Sequence, residues 1–158
     1  MDVSNLSARL RESDLREIDS MLGVPPIEIL REGFAESNPC FAAEANGELV
    51  ALFGVVPDRP GVGRVWMLGT SFIDRHPVQC FREGRRWVAR FLQDYKLLWN
   101  YIATPGPRQI AWLRGCGFEV VRTVSVGPAN TLCMLFMRAR SVETETGQAE
   151  SNGHGCPL

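Results

Sequence analysis

The segment Val65-Trp66-Met67-Leu68-Gly69-Thr70, followed by a polar break at residues 71–76 and by Pro77, decides the fold of this chain. Residues 65–70 predict a strand, and apolar side chains recur at helical spacing from Pro77 to Tyr95, which predicts a long helix. Pro77 suits the first turn of that helix because its missing N–H would have no partner there. A strand that turns into a helix directs the first N–H groups of the helix and the positive end of its dipole at one spot. The junction therefore predicts a site for an anionic group, such as the phosphate of a cofactor.

Four arginines lie mostly off the apolar stripe of this predicted helix: Arg82, Arg85, Arg86 and Arg90. A guanidinium suits phosphate contacts because its charge is fixed and its donors form a rigid fork. The alternative is an ordinary crossover helix whose arginines are solvated. The sequence leaves both interpretations open.

Length and composition predict one soluble globular domain. The chain has 158 residues, 45% of them apolar, and a net charge of −1, which does not favour nucleic-acid binding. No run approaches the roughly 18 apolar residues of a membrane span, and the N-terminus lacks a signal-like region, so we expect a cytoplasmic protein with no membrane span. The five cysteines are scattered without a CxxC pair, and there are only two histidines. Neither a disulfide framework nor a metal site is therefore predicted.

The N-terminal part predicts an edge strand and two short helices. Residues 6–10 alternate loosely and predict the strand, and Ser13 is the expected N-cap of a helix over residues 14–22. A second helix is predicted over residues 26–35, opened by proline. The side chains expected to face the core from these helices are Leu15, Ile18, Leu22, Ile27, Leu30 and Phe34.

Asn46-Gly47 lies between two apolar runs and predicts a β-hairpin of residues 41–45 and 48–56, because both turn residues tolerate the positive φ of a type I′ turn. Residues 58–63 predict a loop that leads into the strand at residues 65–70.

The part after the long helix predicts a strand over residues 97–104, a helix over 108–116 closed by Gly117, and two final strands at 118–126 and 131–139. Residues 141–158 are polar and acidic, which predicts a disordered tail after a single domain at residues 1–140.

This element order, together with the segment Arg108-Gln109-Ile110-Ala111-Trp112-Leu113-Arg114-Gly115-Cys116-Gly117-Phe118, resembles the GNAT acetyltransferases, whose last helix commonly ends in a similar Leu-Gly-Phe turn. The resemblance covers about residues 6–139. It implies an α/β fold with a mixed, mostly antiparallel twisted sheet of six to seven strands flanked by about four helices. It also implies that the sheet opens between the strands that contain Val65 and Leu97, with acetyl-CoA in the opening.

A closer resemblance is carried by Trp66-Met67-Leu68-Gly69-Thr70, His76-Pro77, Arg85-Arg86-Trp87 and Leu98-Trp99-Asn100-Tyr101. These segments are similar to the GNAT-like proteins of short-tailed bacteriophages, often labelled internal virion protein A. The similarity implies a phage-encoded protein in the host cell cytoplasm or in the virion. A bacterial host protein is then a candidate partner, and a homodimer is a candidate assembly.

The GNAT resemblance also implies which residues contact the cofactor. Pantetheine would lie on the strand, and pyrophosphate would lie at the start of the following helix. The implied cofactor-binding residues are Met67, Leu68, Gly69, Thr70, Arg75, Arg82, Gly106 and Trp112.

Two departures from the GNAT pattern concern the chemistry. The usual Arg/Gln-x-x-Gly-x-Gly/Ala loop is replaced by Asp74-Arg75-His76-Pro77-Val78-Gln79-Cys80, which has no glycine and loses one N–H donor at the proline. Coenzyme binding must then rely more on Arg75, Arg82 or side-chain contacts, or be weak. Leu113 stands where many GNAT enzymes place a tyrosine that protonates the leaving thiolate, and Gly106 stands where an asparagine is common. Leucine cannot act as an acid.

The candidate catalytic residues are His76 and Ser71. The imidazole of His76 can act as a base near neutral pH, or it can cap the helix or contact a phosphate. The hydroxyl of Ser71 can hydrogen-bond to a thiolate or carbonyl oxygen, or it can satisfy the local backbone. Cys116 is either a nucleophile in an acyl relay or a small packed residue.

Three function classes fit the sequence. The first is an N-acetyltransferase that transfers acetyl from acetyl-CoA to an amine of a small molecule or a host protein. The second is a catalytically weak GNAT-like protein that binds and modulates a host enzyme or regulator, and the third is a virion component that uses the fold structurally. The complete sheet layout favours the first class, whereas the missing glycine loop and tyrosine favour the other two.

Overall fold

The fold is a single mixed sheet with helices on both faces, and a computed structural model describes it for residues 3–141. Six strands form the sheet in the order β1-β2-β3-β4-β6-β5. Neighbouring strands are antiparallel except for β3 and β4, which are parallel. The elements in chain order are α1 (Ser4–Ser7), α2 (Glu12–Met21), α3 (Pro26–Glu36), β1 (Cys40–Ala45), β2 (Glu48–Arg59), β3 (Val62–Gly69), α4 (Phe72–Arg75), α5 (Pro77–Asp94), β4 (Leu97–Ala103), α6 (Pro107–Gly115), β5 (Glu119–Val126) and β6 (Thr131–Ala139).

The predicted fold class is confirmed. The mixed, mostly antiparallel sheet has six strands, and the four predicted helices correspond to α2, α3, α5 and α6. The two four-residue helices α1 and α4 were not predicted. The predicted tail, apart from Ser141, lies outside the described residues.

Each face of the sheet buries its own apolar cluster. On one face, α5 and α6 cover a cluster that includes Phe91 and Leu98. On the other face, α1, α2 and α3 cover a cluster that includes Leu30 and Leu52. Because side chains alternate between the two faces along a strand, a sheet covered on both sides needs apolar residues at consecutive positions. The nearly continuous apolar run in β2 meets this need.

The long helix α5 confirms the predicted amphipathic stripe. It begins with Pro77 at its first position, and Val88, Phe91 and Leu92 are buried against the sheet. Its last turn is followed by Tyr95, whose hydroxyl donates a hydrogen bond to the carbonyl oxygen of Asn38.

The first hairpin is confirmed, whereas the predicted loop at residues 58–63 is wrong. Asn46 and Gly47 have φ values of 52° and 77°, as a type I′ turn requires. Beyond the hairpin, β2 continues to Arg59 and pairs there with Val62, so only Pro60 and Gly61 form the turn. Gly61 supplies the positive φ of that turn (76°), which lets the strands continue almost to the prolyl residue.

The predicted edge strand at residues 6–10 is also wrong. Residues 4–7 form α1, and Leu6 within this helix and Leu10 after it are both buried in the apolar cluster on this face of the sheet. Only Leu10 makes a strand-like contact, an isolated bridge to Thr70. Ser13 is not the N-cap of α2, since the helix begins at Glu12 and Arg11 occupies the N-cap position.

Three apolar side chains that were expected in the core are exposed instead. Leu15, Leu22 and Phe34 have relative exposures of 38%, 44% and 42%. The helices α2 and α3 each bury a narrow stripe represented by Ile18 and Leu30, so apolar residues beside that stripe remain at the surface.

Helices α5 and α6 approach closely through two reciprocal glycine–aromatic contacts. A methyl group added at Gly84 of α5 would lie 2.5 Å from Cζ2 of Trp112 in α6. A methyl group added at Gly115 of α6 would lie 2.5 Å from Cε2 of Phe81 in α5. Each glycine therefore makes room for an aromatic ring of the other helix, and the two helices pack without a gap there.

We expect Gly84→Ala to lower the free energy of unfolding by about 1–3 kcal/mol, because the added methyl overpacks against Trp112. At an uncrowded helix position the same change would stabilise the protein by roughly 0.5–1 kcal/mol, so the sign of the effect tests the contact. Urea denaturation measures it. The double variant with Trp112→Phe removes the crowded ring edge, and in that background the penalty of the alanine should shrink. A more stable Gly84→Ala protein would contradict the contact.

Candidate active site

The two parallel strands β3 and β4 are paired only at their beginnings. The paired residues are Val62 with Leu97, Gly63 with Leu98, and Arg64 with Trp99. After these three pairs the strands diverge, although β3 continues to Gly69 and β4 to Ala103. The predicted opening beside residues 65–70 is therefore present, and we call it the gap.

The side-chain amide of Asn100 lies at the point where the gap begins. Its Nδ2 donates a hydrogen bond of 2.8 Å to the carbonyl oxygen of Val65, and its Oδ1 accepts one of 2.7 Å from the N–H of Tyr101. In a continuous parallel ladder, main-chain groups of the two strands would bond to each other directly. The Asn100 amide is inserted between the two strands instead, so they separate while the Val65 carbonyl and the Tyr101 N–H both keep a hydrogen-bond partner.

The main chain of Met67 faces the gap. Val55 of β2 exchanges hydrogen bonds with Asn38 and Pro39, so its main-chain groups point away from its β3 partner, Val65. Val65 in turn directs its carbonyl toward β4, and main-chain direction alternates along a strand, so Met67 and Gly69 point the same way. No residue within 3–141 hydrogen-bonds to the main chain of Met67 on this side. Met67 thus offers one N–H and one C=O inside the gap.

The far end of the gap is closed by α2, through residues that the sequence interpretation did not single out. Gly69 donates its N–H to Oδ2 of Asp14 at 2.9 Å, and its carbonyl accepts the N–H of Arg11 at 2.9 Å. On the opposite strand, Ala103 donates its N–H to Oε1 of Glu17 at 2.9 Å. The only sequence signal was the i, i+3 spacing of two carboxylates on one helix, which is common on solvated faces.

Asp14 is held as a buried ion pair. Its side chain is almost fully buried, and Oδ1 accepts a hydrogen bond of 2.8 Å from Nε of Arg11. Burial raises the pKa of the Asp14 carboxyl, while the Arg11 charge and the Gly69 N–H act in the opposite direction. Both carboxylate oxygens are engaged, so Asp14 connects α2 to β3.

The corner between β3 and α5 contains α4 in place of a glycine loop, and α4 uses most of its own donors. Thr70 accepts the N–H of Phe72 through Oγ1 at 3.3 Å and donates its own N–H to Val50 at 2.9 Å. The main-chain N–H of His76 bonds to Phe72 at 3.0 Å, within the same turn. Of the four strand residues predicted to contact the cofactor, Thr70 and Gly69 therefore have N–H groups that are already hydrogen-bonded. The main-chain groups of Leu68 point toward β2, because main-chain direction alternates along the strand. Met67 alone offers open main-chain groups.

The two predicted catalytic side chains lie at this corner, beyond the end of β3. Ser71 is exposed and precedes α4. His76 is exposed, stacks on Phe72 with ring centroids 3.9 Å apart, and places Nδ1 3.0 Å from the Phe72 carbonyl oxygen. Because a carbonyl can only accept, Nδ1 carries the proton and Nε2 is the free nitrogen. Neither residue belongs to the strand that presents Met67.

The start of α5 offers a small cationic site. Val78 and Gln79 follow Pro77 in the first turn, where main-chain N–H groups have no partner within the helix. Arg82 lies one turn further on the same side, and its side chain leans toward the N-terminus of the helix. Arg82 is the one arginine of α5 without a hydrogen bond, ion pair or ring contact to another residue within 3–141, whereas Arg85 lies over Phe81 and the remaining arginines bond to Glu83 and Gln93. Arg75 on α4 is likewise exposed and unpaired within the described chain.

The candidates on α6 have structural roles in this fold. Gly106 precedes the helix, and its N–H is bonded to Oε1 of Gln109 at 2.8 Å. Trp112 packs against Gly84, and Leu113 is buried in the apolar cluster beneath α5 and α6. Cys116 is buried there too, and burial raises the pKa of its thiol to about 11. A neutral, inaccessible thiol is a poor nucleophile, which favours packing over the acyl-relay interpretation.

Two classes of site find no support in the part of the chain that is described. Residues 3–141 contain no group of three or more side chains suited to hold a metal ion. No helix among them is long and apolar enough to cross a membrane.

A cavity of about 530 Å³ at the opposite end of α5, lined by Asn38, Phe41 and Tyr95 among others, includes no residue of the gap.

The comparisons with known proteins identify the fold. No family model matches the sequence, and no curated protein matches it either. Solved structures do match. A Bacillus subtilis acetyltransferase in complex with CoA superposes with a TM-score of 0.59 at 12% identity, over 84% of this chain and 99% of that one. A GNAT family acetyltransferase from Elizabethkingia anophelis with acetyl-CoA bound gives a TM-score of 0.60 at 9% identity, over 80% and 90% of the two chains.

A third match is the aminoglycoside acetyltransferase AAC(6')-Ib in complex with coenzyme A, with a TM-score of 0.57 at 17% identity over 78% of this chain and 82% of that one. At such identities the likeness concerns the fold. The chain therefore has the GNAT fold, and the prediction from the sequence is confirmed for the fold.

We expect Asn100→Ala to lower the free energy of unfolding by about 1–3 kcal/mol, because the Val65 carbonyl and the Tyr101 N–H lose their shared partner. Asn100→Asp keeps an acceptor for the Tyr101 N–H but places a negative charge beside the Val65 carbonyl oxygen. This variant should therefore be at least as unstable as Asn100→Ala. Urea denaturation compares both variants with Asn5→Ala, an exposed asparagine as control. Parent-like stability of Asn100→Ala would indicate that the strands separate without the amide.

Proposed function

We propose that this protein is an acetyl-CoA-dependent N-acetyltransferase. The observation that carries the proposal is the open main-chain N–H and C=O of Met67 inside the gap between β3 and β4. An extended amide-containing chain can add to such an edge as a further strand does, by hydrogen bonds to the main chain. The pantetheine arm of acetyl-CoA is a chain of this kind, and when bound the cofactor supplies the thioester that is attacked.

The residues present fit the cofactor in two places. The Met67 C=O can accept an amide N–H of pantetheine, while the Met67 N–H, a donor that needs no rearrangement, can bind the thioester carbonyl oxygen and stabilise the charge that develops there. The Val78 and Gln79 N–H groups, with Arg82 and Arg75 nearby, suit the diphosphate. Guanidinium groups thereby take the role that a glycine-rich loop would have filled with main-chain donors.

The acceptor is a primary amine in this proposal, either on a small molecule or on a protein. One of the matched structures is named as an aminoglycoside acetyltransferase, so its fold is compatible with acetyl transfer to an aminoglycoside in that protein. The position where many GNAT enzymes have a tyrosine is occupied by Leu113, which is buried and apolar and cannot donate a proton. The leaving thiolate is therefore expected to take its proton from solvent or from the reacting amine.

The second candidate is a GNAT-fold protein that binds a bacterial host enzyme or regulator, or that serves as a virion component, without efficient catalysis. The absence of glycine from the β3–α5 corner favours it, since α4 consumes donors that a cofactor would use. The origin from a short-tailed bacteriophage, the location in the host cytoplasm or virion, and the homodimer remain predictions from the sequence.

We expect Arg82→Ala and Arg75→Ala each to weaken acetyl-CoA binding by about ten- to a hundredfold, because each removes a charge-assisted hydrogen bond worth roughly 1.5–3 kcal/mol. Isothermal titration calorimetry at two salt concentrations measures the affinity, and the loss should be larger at low salt. Arg86→Ala is the matched control, since Arg86 is an exposed arginine of the same helix already bonded to Glu83 at 2.9 Å. Parent-like affinity in both variants would show that Arg75 and Arg82 are solvated surface residues that do not contact acetyl-CoA. No heat and no thermal shift of the parent with millimolar acetyl-CoA would overturn the enzyme proposal in favour of the second candidate.

A further inference from the structure

Two carboxylates of α2 bridge the far ends of the separated strands. Asp14 and Glu17 are three residues apart on one helix, so they lie on the same face. Asp14 accepts the N–H of Gly69 on β3, and Glu17 accepts the N–H of Ala103 on β4. The gap is therefore bounded at one end by Asn100 and at the other by these two side chains, with Met67 between them.

The two carboxylates differ in whether an oxygen remains free to accept a further hydrogen bond or a proton. Both oxygens of Asp14 are bonded, one to Arg11 and one to Gly69. Glu17 uses only Oε1, and Oε2 has no hydrogen-bond partner among residues 3–141. The Glu17 side chain is partly exposed, whereas Asp14 is closed off from solvent. A proton can therefore reach Glu17 without disrupting an existing bond.

The charged and titratable groups around Glu17 favour proton uptake. Burial raises the pKa of the Glu17 carboxyl, the Ala103 N–H lowers it, the nearby Asp14 charge raises it, and Arg11 lowers it. The thiol of Cys133 on β6 is a further neighbour, and the Glu17 charge helps to raise its pKa. Arg11 is already paired with Asp14 at 2.8 Å, so it offers Glu17 no direct ion pair. The result is a carboxylate that binds a proton more readily than an exposed glutamate.

We propose that Glu17 is a catalytic residue, the general base that removes a proton from the acceptor amine. This inference rests on the proposed acetyltransferase function. The bound ammonium gives one proton to Oε2 of Glu17, and the freed nitrogen lone pair forms a bond to the thioester carbonyl carbon. The C–S bond then breaks, the sulfur takes the second proton lost by the nitrogen, and Glu17 returns its proton to solvent. The products are an N-acetyl amide, CoA thiol and one released proton.

Glu17 has a better position for this role than His76, the candidate base in the sequence. Glu17 bonds to the edge of β4 that borders the gap, across from the strand that presents Met67. His76 stacks on Phe72 at the exposed corner beyond the end of β3. A base must come within hydrogen-bond reach of the proton that it removes, directly or through one water.

The test compares Glu17→Gln with Glu12→Gln in the full chain. Glutamine keeps an oxygen for the Ala103 N–H, so Glu17→Gln should fold with a parent-like melting temperature. Glu12 lies on the same helix and is exposed, and within residues 3–141 its side chain makes only a 3.9 Å contact with Arg16, so it is a matched control. CoA release from acetyl-CoA is followed with spermidine and with ribostamycin as primary-amine probes, and acetyl-CoA affinity is measured by calorimetry.

We expect Glu17→Gln to lower kcat by roughly 100-fold or more while acetyl-CoA affinity stays unchanged, and Glu12→Gln to match the parent. The parent kcat/KM should rise with pH along a limb above the usual carboxyl range, and this limb should disappear in Glu17→Gln.

Parent-like turnover and an unchanged pH profile in Glu17→Gln would overturn the assignment of the base. Tight acetyl-CoA binding by the parent with no amine-dependent CoA release from either probe would also count against it. Failure of the parent to bind acetyl-CoA would instead overturn the proposed function itself, so the two failures are distinguishable.

Discussion

The separation of β3 from β4 depends on the side-chain amide of Asn100. Strands that part inside a sheet expose main-chain donors and acceptors, and each one left buried without a partner costs about 1–3 kcal/mol. An amide offers a donor and an acceptor on one planar group, so Asn100 serves the Val65 carbonyl and the Tyr101 N–H together. Further along, α2 provides carboxylates for Gly69 and Ala103. Compensation at both ends leaves Met67 as the residue of β3 whose main-chain N–H and C=O remain open inside the gap.

Most of the fold could be predicted because it depends on local patterns. The Asn46-Gly47 turn and the stripe that ends at Tyr95 are signals within short windows, and the structure confirms both. The prediction for residues 6–10 was wrong because loose alternation over five residues is too short a signal to exclude a single helical turn, which the structure has at residues 4–7. The two-residue turn at Pro60-Gly61 was predicted as a longer loop over residues 58–63. Polar residues at the end of a hairpin cannot be told from a loop when the strand pairing is unknown.

The candidate site was harder to predict, because its residues meet only through tertiary contacts. The strand at residues 65–70 was located, but sequence alone does not tell which of its main-chain groups remain unpaired. That depends on the register with β2 and on the bonds to Arg11 and Asp14. Glu17 resembles any glutamate on the polar side of a short helix until Ala103 is placed beside it. The β3–α5 corner was foreseen as polar and glycine-free, yet the helix α4 within it was not.

The bonds that close the gap join parts of the chain that are far apart in sequence. Asp14 and Gly69 are 55 residues apart, and Glu17 and Ala103 are 86 apart. Such contacts are slow to form because a long loop must be closed before they contribute any stability. The N-terminal helix α2 is therefore expected to dock late in folding, after β4 exists to receive it. During synthesis from the N-terminus, α2 emerges from the ribosome long before its partner on β4. The far end of the gap can therefore be closed by α2 only when most of the chain is complete.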